Sequence, residues 1–290
     1  MVLRKYRPYI LFFCKKQVSI TMVLLKYRPY GKTKMEDAVR YENVTVRAGR
    51  TEILRDVSLA FPAGQISALL GPNGCGKTTL LQCLNGMSEI AGGHVFLGET
   101  DIAALSGNER ARRVAFLPQV RTIIPSIPVQ TLVEHGRFPY LGFARRMGDE
   151  DRKAVKAAME AVGITNLKDR YVDTLSGGIR QKVFIAMVLA QECPAIVLDE
   201  PTTFLDPAAQ RDIMGLIRKL KEQGKTVITV LHDLGQAADT ADFLAVMTRD
   251  GKIDTTGSTE EVLASGAIES VFDVQRAEAA AGGKKRQIFY

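Results

Sequence analysis

Cysteine is scarce and badly placed for structural chemistry. Cys14, Cys75, Cys83 and Cys193 are the four in 290 residues, and they fall at neither metal-ligand nor disulfide-framework spacings. That excludes a zinc-knit or disulfide-stapled domain and suits a reducing compartment. Long apolar runs are also missing. Tyr9–Cys14 and Val18–Leu25 fall well short of the roughly 18 residues that span a bilayer, and no small-residue cleavage site follows them. Acidic residues are absent from the first 34 positions, which carry nine basic ones. The formal charge of the whole chain is +7, so residues 35–290 sum to 7 − 9 = −2. The bulk of the chain lacks the basic footprint of a nucleic-acid binder, and none is expected as a partner.

Residues 1–34 hold an internal repeat. Met1-Val2-Leu3-Arg4-Lys5-Tyr6-Arg7-Pro8-Tyr9 returns as Met22-Val23-Leu24-Leu25-Lys26-Tyr27-Arg28-Pro29-Tyr30. Two copies do not make a solenoid. The segment reads either as a basic, aromatic strip lying on anionic lipid or as an extension outside the fold, translated from a short duplication upstream of a true start at Met35. The second reading is preferred. Beyond Met35 the text turns to strand-like alternation at Val39, Tyr41, Val44 and Val46.

Two stretches carry phosphate chemistry. Gln65–Leu70 reads as a buried strand, followed by Gly71-Pro72-Asn73-Gly74-Cys75-Gly76-Lys77-Thr78 and a helical pattern over Thr79–Asn85. Glycines at this spacing let backbone N–H groups converge on phosphate oxygens. Lys77 would reach the β- and γ-phosphates, and the Thr78 hydroxyl would ligate Mg2+. Later, Ala195-Ile196-Val197-Leu198 runs into Asp199-Glu200, placing two carboxylates at the ligand-binding edge of a parallel sheet. Asp199 suits Mg2+, and Glu200 suits the deprotonation of an attacking water.

Between them stands Leu175-Ser176-Gly177-Gly178-Ile179-Arg180-Gln181, opening a periodic segment with Val183, Ala186, Met187 and Ala190. Ser176 and two glycines leave bare N–H donors at a helix start, which either caps a turn or receives an anion.

In this order and near this spacing, the three stretches resemble an ATP-binding-cassette (ABC) ATPase over about residues 35–265. The resemblance implies an α/β P-loop NTPase core with a mainly parallel sheet, an N-terminal antiparallel β subdomain and an inserted helical subdomain over about 122–178. Residues 266–290 are set apart as a C-terminal tail. It also implies that ATP contacts Gly71 to Thr79, and that Ser176, Gly177 and Gly178 of a second copy complete the site in a homodimer. Gln119 matches the family's Q-loop, which touches Mg2+ and water. Asp206 matches its D-loop, and His232 its switch histidine at the γ-phosphate. Each has a plainer reading. Asp206 before Pro207 is a good N-cap for a helix bearing Ile213, Leu216, Ile217 and Leu220; Gln119 is a loop polar group; and His232 is a hydrogen-bonded histidine ending the strand Thr226–Leu231. His94 and His135 match no family site and read as structural or solvated.

One family feature is missing. The aromatic that usually stacks on adenine is replaced by Arg47-Ala48-Gly49, so either the Arg47 guanidinium stacks or Tyr41 swings in. Cys75, by position alone, is expected to be open to thiol modification. A helical pattern at Val155, Ala158, Met159 and Val162, ended by Gly163, matches the family's permease-docking subdomain. The residues at 133–140 and 201–206 look most like ATPases of importers for ferric siderophores, haem and cobalamin. The resemblance therefore implies an ATPase on the cytoplasmic face of a membrane, working with a separate permease and, through it, a solute-binding protein. The alternatives are an ATPase of another transport system or, remotely, one in DNA repair, which would need a long coiled coil where only about a hundred residues lie between Thr78 and Ser176.

Overall fold

The computed structural model describes residues 37–119, 126–141, 146–281 and 284–290. The basic repeat at 1–34 and the boundary at Met35 lie outside the described residues.

The alternation after Met35 builds the first layer. β1 (Asp37–Ala48) pairs antiparallel with β2 (Thr51–Pro62) and, on its other side, with the strand Ile90–Leu97. Val39 and Tyr41 are two apart, but Tyr41 and Val44 are three apart, a step that would turn one residue outward. A register shift there, with Asn43 at φ 51°, absorbs the extra residue, and all four side chains stay buried.

The second layer is a six-stranded sheet. β3 (Ile66–Leu70) is followed by α1 (Lys77–Cys83), β4 (Ile90–Leu97) and β5 (Thr100–Asp101), the last two completing the antiparallel sheet in the order β2-β1-β4-β5. Then come α2 (Gly107–Ala111) and β6 (Val114–Leu117). The segment before the next strand is helical, with α3 (Val129–Glu134), α4 (Asp149–Ala161) and α5 (Gly177–Ala190). The rest alternates β7 (Ala195–Asp199), α6 (Pro207–Glu222), β8 (Thr226–Val230), α7 (Leu234–Thr240), β9 (Phe243–Met247), β10 (Ile253–Ser258) and α8 (Thr259–Ser265). The large sheet runs β10-β9-β3-β8-β7-β6, parallel throughout except at β10.

Strands β3, β7 and β8 are buried at every position, as expected for a sheet covered on both faces. Their period of two divides the interior into two cores. Ile66, Ala68, Ile196, Leu198, Leu244 and Val246 point to the helices, while Leu69, Val197, Ile228, Ala245 and Met247 meet α1 and the antiparallel sheet. α6 follows the pattern read from sequence, with Ile213, Leu216, Ile217 and Leu220 buried.

Residues 266–290, set apart from the sequence as a C-terminal tail, carry regular elements. α9 (Ala267–Phe272) leads into an antiparallel hairpin of β11 (Arg276–Ala281) and β12 (Lys284–Phe289). Phe289 packs against the helical-side core, and a Cβ on Gly235 of α7 would stand 2.9 Å from the Gln287 carbonyl. Hairpin backbone thus lies directly on the first turn of α7. An alanine-rich strand has almost no apolar pattern to reveal it.

The helical segment is clasped by one buried cation. Arg137 is 5% exposed; its Nε donates to Asp151 Oδ1 at 2.9 Å, and its Nη1 donates to Ala190 O at 2.7 Å and Glu192 Oε2 at 2.8 Å. The guanidinium also lies 4.1 Å over the Tyr140 ring. Its neighbour Gly136 has no room for a side chain, since a Cβ would sit 2.1 Å from Met187 O. Arg137→Ala removes one partner of a buried network, and a loss of about 3–5 kcal/mol of stability is expected. A denaturant melt checks this; a midpoint unchanged from wild type would show that the clasp is dispensable.

Candidate functional site

Parallel registry brings the expected residues to one edge. Leu69 of β3 pairs with Val230 of β8, Val230 with Asp199 of β7, and Leu198 with Leu117 of β6. Four strands therefore end almost level, and the residues after each share one crevice. β3 delivers the glycine loop, β8 delivers His232, β7 ends in Asp199-Glu200, and β6 leads to Gln119.

The loop Gly71–Gly76 is shaped by positive φ at Gly71 (159°), Gly74 (80°) and Gly76 (101°). At Gly76 the requirement is double, since a Cβ would also press to 2.7 Å from Leu54 Cδ2. Lys77, 7% exposed, curls back over the loop, donating from Nζ to Gly71 O at 2.7 Å and Pro72 O at 2.9 Å. Thr78, one residue on, donates its hydroxyl to Asp199 Oδ2 at 2.8 Å.

Asp199 is 1% exposed, and its other oxygen, Oδ1, is buried without a hydrogen-bond partner among the described residues. Burial pushes its carboxyl above the usual range. The charge of Glu200 pushes the same way, against the Thr78 hydrogen bond and the charges of Lys77 and His232.

Glu200 leaves the strand at φ 54°, a left-handed turn that aims its carboxylate into the crevice. His232 Nε2 lies 2.6 Å from Glu200 Oε1, and Gln119 Nε2 donates to Oε2. Thr203 Oγ1 also donates to Oε2, at 3.2 Å. Beside this carboxylate opens a cleft of about 650 Å3, lined by Asn73, Glu200, Thr203, Phe204, Gln210 and His232 among others. A carboxylate bracketed by a histidine, an amide and a hydroxyl at the mouth of a phosphate loop can take a proton from a bound water.

The structure thus assembles Lys77, Thr78, Asp199, Glu200, Gln119 and His232 in one place. The signature residues are held by other contacts. Ser176 caps α5 by backbone position only: its hydroxyl makes no cap bond, and no hydrogen bond joins it to the loop among the described residues. Gly178 has a packing reason of its own, because a Cβ there would lie 2.8 Å from Ala209 Cβ of α6. Asp206 does cap α6, accepting from the N–H groups of Ala208 and Ala209 at 2.9 Å each.

Two expectations fail on packing. Tyr41 is 1% exposed and donates its hydroxyl to Leu80 O at 3.1 Å, so it cannot swing toward a base. Cys75 is 2% exposed, and burial raises its thiol above the ordinary value, which leaves little thiolate to react. Arg47 stays on the surface, ion-paired with Glu52 at 2.7 Å. His94 contacts Asp101 at 2.8 Å on an exposed strand, and His135 stacks near Phe138, in keeping with structural or solvated roles. Sequence reasoning missed Thr203, whose only signal was its place three residues after Glu200.

A profile described as ABC transporter matches residues 54–203. Among characterised proteins, the chain is 42% identical over 238 residues to the ferric enterobactin transport ATP-binding protein FepC of Escherichia coli (strain K12), covering 82% of this chain and 88% of that one. It is 37% identical over 234 residues to the iron(3+)-hydroxamate import ATP-binding protein FhuC of Bacillus subtilis (strain 168), covering 80% and 87%. The hemin import ATP-binding protein HmuV of Rhodococcus jostii (strain RHA1) is 36% identical over 245 residues, covering 84% and 82%. Among solved structures, a metal-chelate type ABC transporter in an inward-facing conformation superposes with a TM-score of 0.77 at 26% identity, covering 88% of this chain and 97% of that one.

Proposed function

This chain belongs to the ABC transporter ATP-binding family and is an ATPase, and from that premise we propose that it energises the uptake of an iron complex, siderophore or haem, through a separate permease. Three relatives named for ferric enterobactin, iron(3+)-hydroxamate and hemin transport, each matched over at least 80% of this chain, carry the iron reading and favour it over cobalamin. Among the described residues no helix is long and apolar enough to cross a membrane, so the translocation path is assigned to another chain. Association with the cytoplasmic face of the membrane follows from that partner. The DNA-repair alternative needs a coiled coil between Thr78 and Ser176, where the longest described helix, α4, has 13 residues.

The mechanism follows from the crevice. Loop N–H groups and Lys77 hold the phosphates of ATP. Thr78 and Asp199, with Gln119, are the residues that would hold Mg2+, and the buried Oδ1 of Asp199, unpartnered among the described residues, is an oxygen donor of the kind that cation takes. When bound, the ion offsets charge on the β- and γ-phosphate oxygens. Glu200 accepts a proton from the attacking water at its carboxylate, and His232 lines up with that carboxylate at 2.6 Å. Among the described residues Ser176 makes no side-chain cap bond and Gly178 packs on Ala209 of α6, which leaves the signature free to serve a shared site: the signature of one copy covers the γ-phosphate held by the other, in a homodimer that ATP closes and hydrolysis opens.

The test is made in the native cell. Deleting the gene is expected to abolish uptake of a ferric siderophore or haem, and the tagged chain is expected to bring a polytopic permease from solubilised membranes. A deletion strain that takes up iron complexes like its parent overturns the iron reading. Retrieval of DNA-repair proteins without a permease overturns transport itself.

A further inference from the structure

Three side chains hold the Glu200 carboxylate, and they differ in where they come from. Gln119 follows β6 and His232 follows β8, so each reaches Glu200 from a different strand. Thr203 belongs to the same turn as Glu200. Its N–H donates to Glu200 O at 3.3 Å, closing the turn, and its hydroxyl donates to Glu200 Oε2 at 3.2 Å. The turn is fixed in its neighbourhood too: Gln210 Nε2 donates to Thr202 O at 3.3 Å and Leu205 O at 3.2 Å, and Thr202 Oγ1 donates to Gln236 Oε1 at 3.2 Å. A hydroxyl on the carboxylate's own turn travels with it, whereas contacts from other strands depend on how those strands sit. Glu200 needs such a local tether because it stands at φ 54°, where its backbone is not held by the β7 ladder.

We propose that Thr203 is the positioning residue for Glu200, holding Oε2 so that the carboxylate stays aimed at the attacking water. This rests on Glu200 being the general base. The hydroxyl acts only through that carboxylate, so its loss is expected in kcat and not in ATP affinity. A threonine supplies the donor on a stiff β-branched stem; serine supplies the same donor, and valine keeps the shape without it.

Purified full-length chain is assayed for kcat and KM with Mg-ATP, alongside thermal melting. Thr203→Val is expected to lower kcat about tenfold, the order set by one hydrogen bond to a charged group, with KM within about twofold of wild type. Thr203→Ser is expected to return kcat to within about twofold by restoring that bond. If Thr203→Val melts early, Thr203→Ala carries the same expectation. A Val or Ala variant that folds and turns over at the wild-type rate overturns the proposal, as does a Ser variant as slow as Val. Glu200→Gln, measured in parallel, separates the two levels. If it still hydrolyses ATP, the general-base reading falls and the proposal with it. If it is inactive while Thr203→Val runs at the wild-type rate, only the assignment of Thr203 falls.

Discussion

Glu200→Gln is expected to cut ATP hydrolysis by about a hundred- to ten-thousand-fold, the range a general base contributes, while ATP still binds. The two side chains have nearly the same shape, so the turn at φ 54° and the Thr203 contact to Oε2 can survive the change. What is lost is basicity, because an amide cannot accept the water's proton. Nothing that holds phosphate is touched: Lys77 folds onto the Gly71 and Pro72 carbonyls and Thr78 bonds Asp199, none of them through Glu200. Binding without turnover should leave ATP closing two copies with no route to release. Size-exclusion chromatography with Mg-ATP is expected to show a stable dimer for this variant and a transient one for wild type. A variant that binds ATP and stays monomeric would sink the shared-site mechanism, even with hydrolysis lost. Lys77→Ala makes the contrast, since it should lose ATP binding and the dimer together.

What could be read in advance follows a physical division. Strands β3, β7 and β8 announce themselves because a sheet covered on both faces must be apolar at every position, and the residues that break the run, Gly71, Asp199-Glu200 and His232, then mark a common edge. The helix at Pro207–Glu222 was legible from its cap and its periodicity together. The failures share a different cause. Whether Tyr41 or Cys75 faces a ligand or the core depends on which neighbours close over it, and Leu80 and the antiparallel sheet are distant in sequence. Among the described side chains of the hairpin at 276–289, Phe289 packs on the helical-side core, while α7 is met by the Gln287 carbonyl and by an Arg286–Asp239 ion pair at 3.7 Å, contacts that leave no periodic apolar trace. Thr203 is hidden for a related reason: a hydroxyl three residues from a carboxylate is common, and only the turn at Glu200 makes it a partner.

Asp199→Asn is expected to stabilise the chain and inactivate it in one step. Asp199 is 1% exposed with one oxygen lacking a hydrogen bond among the described residues, and burial holds its carboxyl above the ordinary value, helped by the charge of Glu200. Because the folded pKa stands above the unfolded one, the folded chain binds more protons than the unfolded chain between the two values. Stability therefore falls as pH rises through that window, and at neutral pH the ionised carboxyl still opposes folding. Asparagine has no charge to desolvate and keeps an oxygen to accept from the Thr78 hydroxyl. Relieving strain of this kind at a functional site commonly yields about 0.5–2 kcal/mol, and each kcal/mol raises Tm by about 2–4 °C in a domain of this size. Thermal melts at pH 7 are expected to shift upward, and the rise in wild-type stability toward acid pH is expected to flatten in the variant. The same replacement removes the anionic oxygen that fits Mg2+, so Mg-dependent hydrolysis should disappear. A variant that melts below wild type at neutral pH would show that the buried carboxylate is already balanced by its neighbours, and the cation reading of its orphaned oxygen would lose its support.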